Sequence, residues 1–316
     1  MSLKKIVFIF IISLLICCKP SSTKEEAKIK SKQYITVLGI AQDGGYPHIG
    51  CQKECCANFY TGKNKKKSVV SLGLIDLDNQ QKWLFDATPD MHTQLAELEQ
   101  NHLKTTKLID GVFLTHAHIG HYTGLMYFGR EAFGKKDTKV YAMPKMKKFL
   151  EKNGPWCQLV SLQNIKLQSI KQDSTIVLNN KLKVTPFLVP HRDEFSETVG
   201  YKIKGTKKTA LYIPDIDKWH KWKRNIIEEV KKVDYAFVDA TFLNQKEVKR
   251  AMTEVPHPFI QETIDLFKNE ALTTKNKVIF IHFNHTNPAL QKNSKERNEI
   301  EKLGFRFAIE GDNYEL

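Results

Sequence analysis

Three imidazoles fall within six positions in Thr115-His116-Ala117-His118-Ile119-Gly120-His121, in a chain of 316 residues with only 11 histidines. His116 and His118 alternate along an extended segment, so both side chains can point the same way. His121 follows where the chain turns toward a helix. Neutral imidazole is the commonest nitrogen ligand for zinc and iron-group metals. Such a cluster offers metal-assisted chemistry: a bound metal lowers the pKa of water toward about 7 and polarises a carbonyl or phosphoryl oxygen. A second group of ligand type is Cys51, Cys55 and Cys56, half of the six cysteines. An odd cluster of thiols fits a metal site better than a disulfide framework. The adjacent pair Cys55-Cys56 leaves open a strained disulfide or one free thiol.

The elements that must position these groups read as short strands interrupted by helices. Strands are predicted over residues 34–40, 69–76, 82–86, 111–115, 140–142, 165–170, 174–177, 182–189, 199–204, 209–213, 235–239 and 278–282, from β-branched and apolar runs bounded by turn residues. The second and third form a hairpin across Asp78-Asn79. Helical spacing of apolar residues predicts helices over 89–100, 122–133, 145–151, 221–232 and 258–269, with an αβ unit at the C-terminus. No fixed-period repeat is present. β-rich halves with intervening helices suit an α/β sandwich of two sheets covered by helices. Its functional residues would gather on loops at one rim of the sheets.

With the elements in place, the histidine segment resembles the metallo-β-lactamase superfamily motif His-x-His-x-Asp-His after a strand Gly-Val-Phe-Leu-Thr. Further landmarks follow in order: His191 in Val189-Pro190-His191, Asp215 in Tyr212-Ile213-Pro214-Asp215, and His282 in Phe280-Ile281-His282-Phe283. The resemblance covers residues 34–316 and implies a four-layer αββα sandwich. It also implies a metal centre held by His116, His118, His121, His191, Asp215 and His282, with Asp215 bridging two metals. The motif's aspartate is Gly120 here. That leaves His116, His118 and His191 as a complete three-histidine site and weakens the second. Asp43, Asp90 and Asp239 are candidates for the missing carboxylate. Asp43, beside two glycines at a strand end, ranks first, although it could equally cap a Gly-rich turn, as Asp90 could cap a helix. His48 is a further pocket candidate.

The thiols resemble a subgroup of this superfamily that includes the cyclic-phosphate phosphodiesterase of carbon-phosphorus-lyase pathways. That likeness implies a structural zinc on Cys51, Cys55, Cys56 and His285. The opening strand, its Gly-rich loop with cysteines, and His282-Phe283-Asn284-His285-Thr286-Asn287-Pro288 resemble the PQQ-biosynthesis protein B family. His257, in Val255-Pro256-His257-Pro258, is similar to the catalytic histidine of the superfamily's phosphodiesterases. It could equally be a surface histidine at a helix start.

The resemblance implies a hydrolase of phosphodiester or other ester bonds, with Asp215 orienting the nucleophile and His257 serving the leaving group. The expected cofactors are one or two zinc ions in the active site, with manganese or iron as alternatives, plus the structural zinc. Two other readings stand beside it: an iron-dependent oxidative enzyme like PQQ-biosynthesis protein B, and a binding protein with a degenerate metal site.

Composition bounds the partners. The formal net charge of +14 suits a small anionic substrate. The basic run Lys63-Asn64-Lys65-Lys66-Lys67 reads as a solvated loop. No aromatic-basic stacking motif accompanies it, so no nucleic-acid partner is expected. At the N-terminus, Lys4 and Lys5 precede an apolar run from 6 to 16, the length of a signal-peptide core and short of the roughly 20 residues that span a membrane. Leu15-Ile16-Cys17-Cys18 resembles a bacterial lipoprotein cleavage box with the lipid on Cys18, or on Cys17. The expected organisation is a signal peptide over 1–18, a polar tether over 19–33 and one domain over 34–316. The protein would then be exported and lipid-anchored to a bacterial membrane.

Overall fold

The computed structural model of the protein describes residues 31–316. The signal peptide, Cys17, Cys18 and most of the tether lie outside the described residues. The first sheet takes β1 (Gln33–Gly39), β2 (Ser71–Asp76), β3 (Gln81–Phe85), β4 (Gly111–Phe113), β5 (Thr138–Ala142) and β6 (Ile165–Ser169). The second takes β7 (Ile176–Val177), β8 (Lys183–Leu188), β9 (Val199–Lys204), β10 (Thr209–Ile213), β11 (Tyr235–Asp239), β12 (Val278–Ile281) and β13 (Arg306–Phe307). The last strand, β14 (Asn313–Glu315), returns to the first sheet beside β1. Each sheet therefore has seven strands, in the orders β14-β1-β2-β3-β4-β5-β6 and β13-β12-β11-β10-β9-β8-β7.

Strand alternation explains the layering. Ile35 and Val37 of β1, Leu72 and Leu74 of β2 and Phe113 of β4 join one core with Val184, Tyr201, Ile203 and Tyr212 of the second sheet. Tyr34, Leu38, Ile75, Val112 and Val140 face the other way. They pack under α2 (Met91–Glu97), α4 (Pro144–Lys152) and α5 (Trp156–Ser161) through Met91, Leu95, Met146, Leu150 and Leu159. Strands buried on both faces read as continuous apolar runs, as β4 and β12 do. The remaining helices are α1 (Glu54–Tyr60), α3 (Ile119–Tyr122), α6 (Ile226–Lys231), α7 (Ile260–Leu266), α8 (Leu272–Lys275) and α9 (Lys295–Lys302). Ile226 and Val230 of α6, Ile260 of α7 and Ile300 of α9 belong to the same core as the second sheet.

Several elements depart from expectation. β1 opens at Gln33, within the stretch read as tether, and the Ser31 hydroxyl already donates to the Leu316 carbonyl at 3.2 Å. The helix expected over 122–133 is instead the single turn α3 followed by a 3-10 stretch, Thr123–Phe128. Gly124 explains this: a Cβ there would lie 2.1 Å from the Thr88 carbonyl oxygen, so the backbone is pressed against the start of α2. The helix expected from 221 begins only at Ile226, where Asn225 caps it by accepting from the Ile227 and Glu228 amides. Neither α1 nor α5 was predicted. α1 carries Cys55 and Cys56, and its only wholly buried residue is Cys56, so no apolar stripe marks it in the sequence.

Candidate metal centre

Topology brings the chemical residues to one end of each sheet. β1 is antiparallel to β2 and β2 to β3, while β3 and β4 are parallel. The C-terminal ends of β1, β3 and β4 therefore share an edge. By the same pairing, β8 runs with β10, β11 and β12. Asp43 follows β1, His116, His118 and His121 follow β4, and His191 follows β8. Asp215 follows β10, Asp239 ends β11, and His282 follows β12. His257 comes from the connection between β11 and α7.

Two sets of atoms converge on Asp215. Nε2 of His116 lies 3.3 Å from Asp215 Oδ2, Nε2 of His191 3.1 Å and Nδ1 of His118 3.8 Å. Nε2 of His116 and Nδ1 of His118 are themselves 2.8 Å apart, aimed at the same point. On the other oxygen, Asp215 Oδ1 lies 3.1 Å from His257 Nδ1. Beside this set, Nε2 of His121 is 4.0 Å from Asp215 Oδ2 and 3.1 Å from Asp43 Oδ1. His282 brings its Nε2 within 3.5 Å of the same Asp43 oxygen.

Several of the rings are held by a further partner. Nδ1 of His121 meets Asp86 Oδ2 at 2.8 Å, and Nδ1 of His116 meets the Thr115 hydroxyl at 3.0 Å. The Thr241 hydroxyl sits 2.9 Å from His282 Nδ1 and 3.2 Å from His257 Nδ1. Asp239 is buried. It accepts from the Ile216 and Thr241 amides and lies 2.9 Å from His257 Nδ1. Such outer partners orient metal-binding imidazoles and raise their basicity. Asp86 and His282 reach their places through left-handed backbone, φ 66° and 68°, which costs on the order of 1–3 kcal/mol for a residue with a side chain. Strand continuation holds the second bend: the Phe283 amide donates to Ile40 O, and the Gln42 amide to Phe283 O, both at 2.8 Å.

The electrostatics follow from burial among opposite charges. Burial alone would push the Asp215 carboxyl up, but His191 and His257, with hydrogen bonds from His116 and His118, hold it well below the usual range. Burial would lower His257, yet Asp239 and Asp215 outweigh it and push the imidazole up to about 10. His116 goes down, through burial and the neighbouring His121.

The donor set fits a metal. Both ring nitrogens of His191, Oδ1 of Asp215 and Nε2 of His282 are buried and make no hydrogen bond. An unpartnered buried polar atom costs about 1–3 kcal/mol, which a cation at the convergence point would offset. His116, His118, His191 and Asp215 place ligand atoms within 4.8 Å of one another, as do Asp43, His121 and His282, and also Asp215, Asp239, His257 and His282.

Cys51, Cys55, Cys56 and His285 form a separate group within the same span. The thiols are free, with Cys51 Sγ 3.9 Å from Cys55 Sγ. Burial pushes Cys55 up to about 12 and His285 down to about 4, and the buried Nδ1 of His285 has no partner.

A β-lactamase superfamily domain matches residues 81–283. The chain belongs to the β-lactamase superfamily. Coenzyme PQQ synthesis protein B of Acinetobacter baylyi is 24% identical over 306 residues, spanning 88% of this chain and 98% of that protein. Zn(2+)-bound PqqB from Methylobacterium extorquens matches with a TM-score of 0.72 at 23% identity, over 90% of this chain and 100% of that one. A diphosphatase from the PhnP family matches with a TM-score of 0.63 at 21% identity, over 89% of this chain and 96% of the other. At these identities the structural likeness establishes the superfamily fold, the αββα sandwich anticipated above.

Within that superfamily frame, the structure brings together His116, His118, His121, His191, Asp215, His257, His282, Asp43 and Asp239. Two pocket candidates lie elsewhere. His48 stacks on His285 with ring centroids 4.3 Å apart, and its amide donates to Cys56 Sγ, so it belongs to the thiol group. Asp90 neither lines the centre nor caps α2. It pairs with Lys66 at 2.6 Å and accepts from the Val69 amide at 2.9 Å. The basic run that reads as a solvated loop is thereby tied down at Lys66. Sequence reasoning missed Asp86, Thr115 and Thr241. A lone aspartate closing the apolar strand β3 is the only mark Asp86 leaves.

Proposed function

We propose that the chain is a metal-dependent hydrolase of phosphodiester or other ester bonds. The observation that carries this reading is the convergence of His116, His118 and His191 on one oxygen of Asp215, with His257 on the other. When bound, a metal at that point supplies Lewis acidity and lowers the pKa of water toward about 7. His116, His118 and His191 would hold it. Asp215 orients the attacking water through the oxygen shared with those rings. His257, kept protonated by Asp239 and Asp215, can give a proton to the leaving oxygen. Burial of the centre keeps bulk water from competing. The net charge of +14 supports an anionic substrate, as does the likeness to a diphosphatase. The native metal is zinc in this reading, with a structural zinc on Cys51, Cys55, Cys56 and His285, in line with the zinc-bound PqqB of similar fold.

The test is turnover of phosphodiester and ester substrates before and after chelation, with metal added back. Full activity in a chelated, metal-free preparation would sink the proposal. The sequence resemblance to the PQQ-biosynthesis protein B family carries a second reading, iron-dependent oxidation. Bound iron with oxygen uptake would decide for it.

The export reading belongs here too. Among the described residues no helix is long and apolar enough to cross a membrane; the proposed membrane attachment is a lipid at Cys18, or at Cys17. Mass spectrometry of the N-terminal peptide from native membranes tests that. An unmodified peptide beginning at Met1 would refute it.

A further inference from the structure

Gly120 occupies the motif position at which a carboxylate was expected. A Cβ built there would lie 2.6 Å from both Cα and Oδ1 of Asp43 and 2.8 Å from its Cβ. Asp43 therefore already fills the volume that a side chain at 120 would take. Its Oδ1 is 3.1 Å from Nε2 of His121 and 3.5 Å from Nε2 of His282. His282 Nε2 is buried and has no hydrogen-bond partner. Asp43 is itself fixed: Gly45 N donates to Gln42 O at 2.7 Å, Gln42 N to Phe283 O at 2.8 Å, and Asn284 Nδ2 to Gln42 Oε1 at 2.7 Å. The loop that carries the carboxylate is thus fastened to the segment that carries His282.

An ion pair alone explains this arrangement poorly. His121 already has a buried carboxylate, Asp86, on its Nδ1. A second carboxylate on Nε2, shared with another imidazole Nε2, is the pattern of atoms around a cation. We propose that Asp43 supplies the ligand Gly120 lacks, so that a second metal is held by His121, His282, Asp43 and Asp215. A carboxylate has moved from the loop after β4 to the loop after β1 while keeping its place in space. The inference rests on the centre binding metal, not on which reaction it performs.

The test is elemental analysis of the purified full chain equilibrated with zinc, and the visible spectrum of the cobalt(II)-loaded protein, for wild type and Asp43→Asn. The asparagine keeps size and loop geometry while removing the charge. The expected result is one zinc fewer per chain in the variant, or a weakest-bound zinc lost at least about 10–100-fold more easily, with a changed cobalt spectrum. An Asp43→Asn chain with the full zinc count, unchanged affinity and the wild-type cobalt spectrum would overturn the proposal and leave Asp43 as a partner of His121 only. A wild-type chain that takes up zinc only at its cysteines, shown by complete loss on Cys56→Ser, would overturn both this inference and the hydrolase reading.

Discussion

His121 donates from Nδ1 to Oδ2 of Asp86 across 2.8 Å, and both groups are fully buried. A carboxylate can only accept, so Nδ1 carries a proton, and Nε2, which faces Asp43 and the centre, is the atom that would give up its proton to a metal. Asp86 is tied in turn by the Thr115 amide at 2.8 Å and the Thr115 hydroxyl at 2.9 Å. Asp86→Asn should weaken binding of the metal at His121 by about 10–100-fold, the usual loss for an outer partner of a ligand. Competition with a chelator reads this out. Unchanged affinity would show that the tautomer is set elsewhere.

Replacing His257 separates proton transfer from metal holding. His257→Gln should lower kcat by about 100–10,000-fold while metal content stays that of the wild type. Asp239→Asn should lower kcat in the same direction and shift the alkaline limb of the pH–rate profile down, because Asp239 is one of the two carboxylates that raise the imidazole. Loss of metal in the His257 variant would make it a ligand instead.

The thiol group should act on stability. With metal at 100 to 1,000 times its dissociation constant, a bound ion adds about 2.7–4.1 kcal/mol to folding. Cys56→Ser should forfeit most of that, seen as a lower unfolding midpoint at fixed metal concentration. In excess chelator the wild type should fall toward the variant. A variant as stable as the wild type in saturating zinc would show that no metal binds there.

His102 gives a pH effect remote from the metal centre. Its ring nitrogens face the Tyr34 and Thr36 hydroxyls, 3.2 and 3.3 Å away. Burial, only partly opposed by Glu97, holds the imidazole below its usual 6.5. The unfolded chain then binds more protons at this group than the folded one, so the contribution is full above about 6.5 and is lost as pH falls from there through the lower folded value. His102→Gln should flatten the dependence of unfolding free energy on pH between about 5 and 7. Equal slopes would show that His102 carries its charge when folded.

The sandwich and most of the centre were legible because ligands of unusual type sit at the ends of apolar strands. Histidines after β4, β8 and β12 and a carboxylate after β10 announce themselves in one dimension. Asp86 does not: it acts on a histidine 35 positions later and looks like any polar residue closing a strand. Thr241 is hidden for the same reason. Asp43 was legible only as the first of several candidates, since its close approach to Gly120 exists only in the folded chain. His48 and Asp90 had the right type, but neither the Gly-rich loop that holds His48 nor the helix start that holds Asp90 carries a periodicity to say which way a side chain points.

The fastening of Ser31 to Leu316 at the start of β1 sets an orientation. Asp43 lies beyond the far end of that strand, and seven residues of β-strand span roughly 20 Å. Ser31 and Leu316 therefore lie at the opposite end of β1 from Asp43 and the histidines. A fusion joined at Leu316 would stand clear of the metal centre, at the end of the sandwich that carries no ligand.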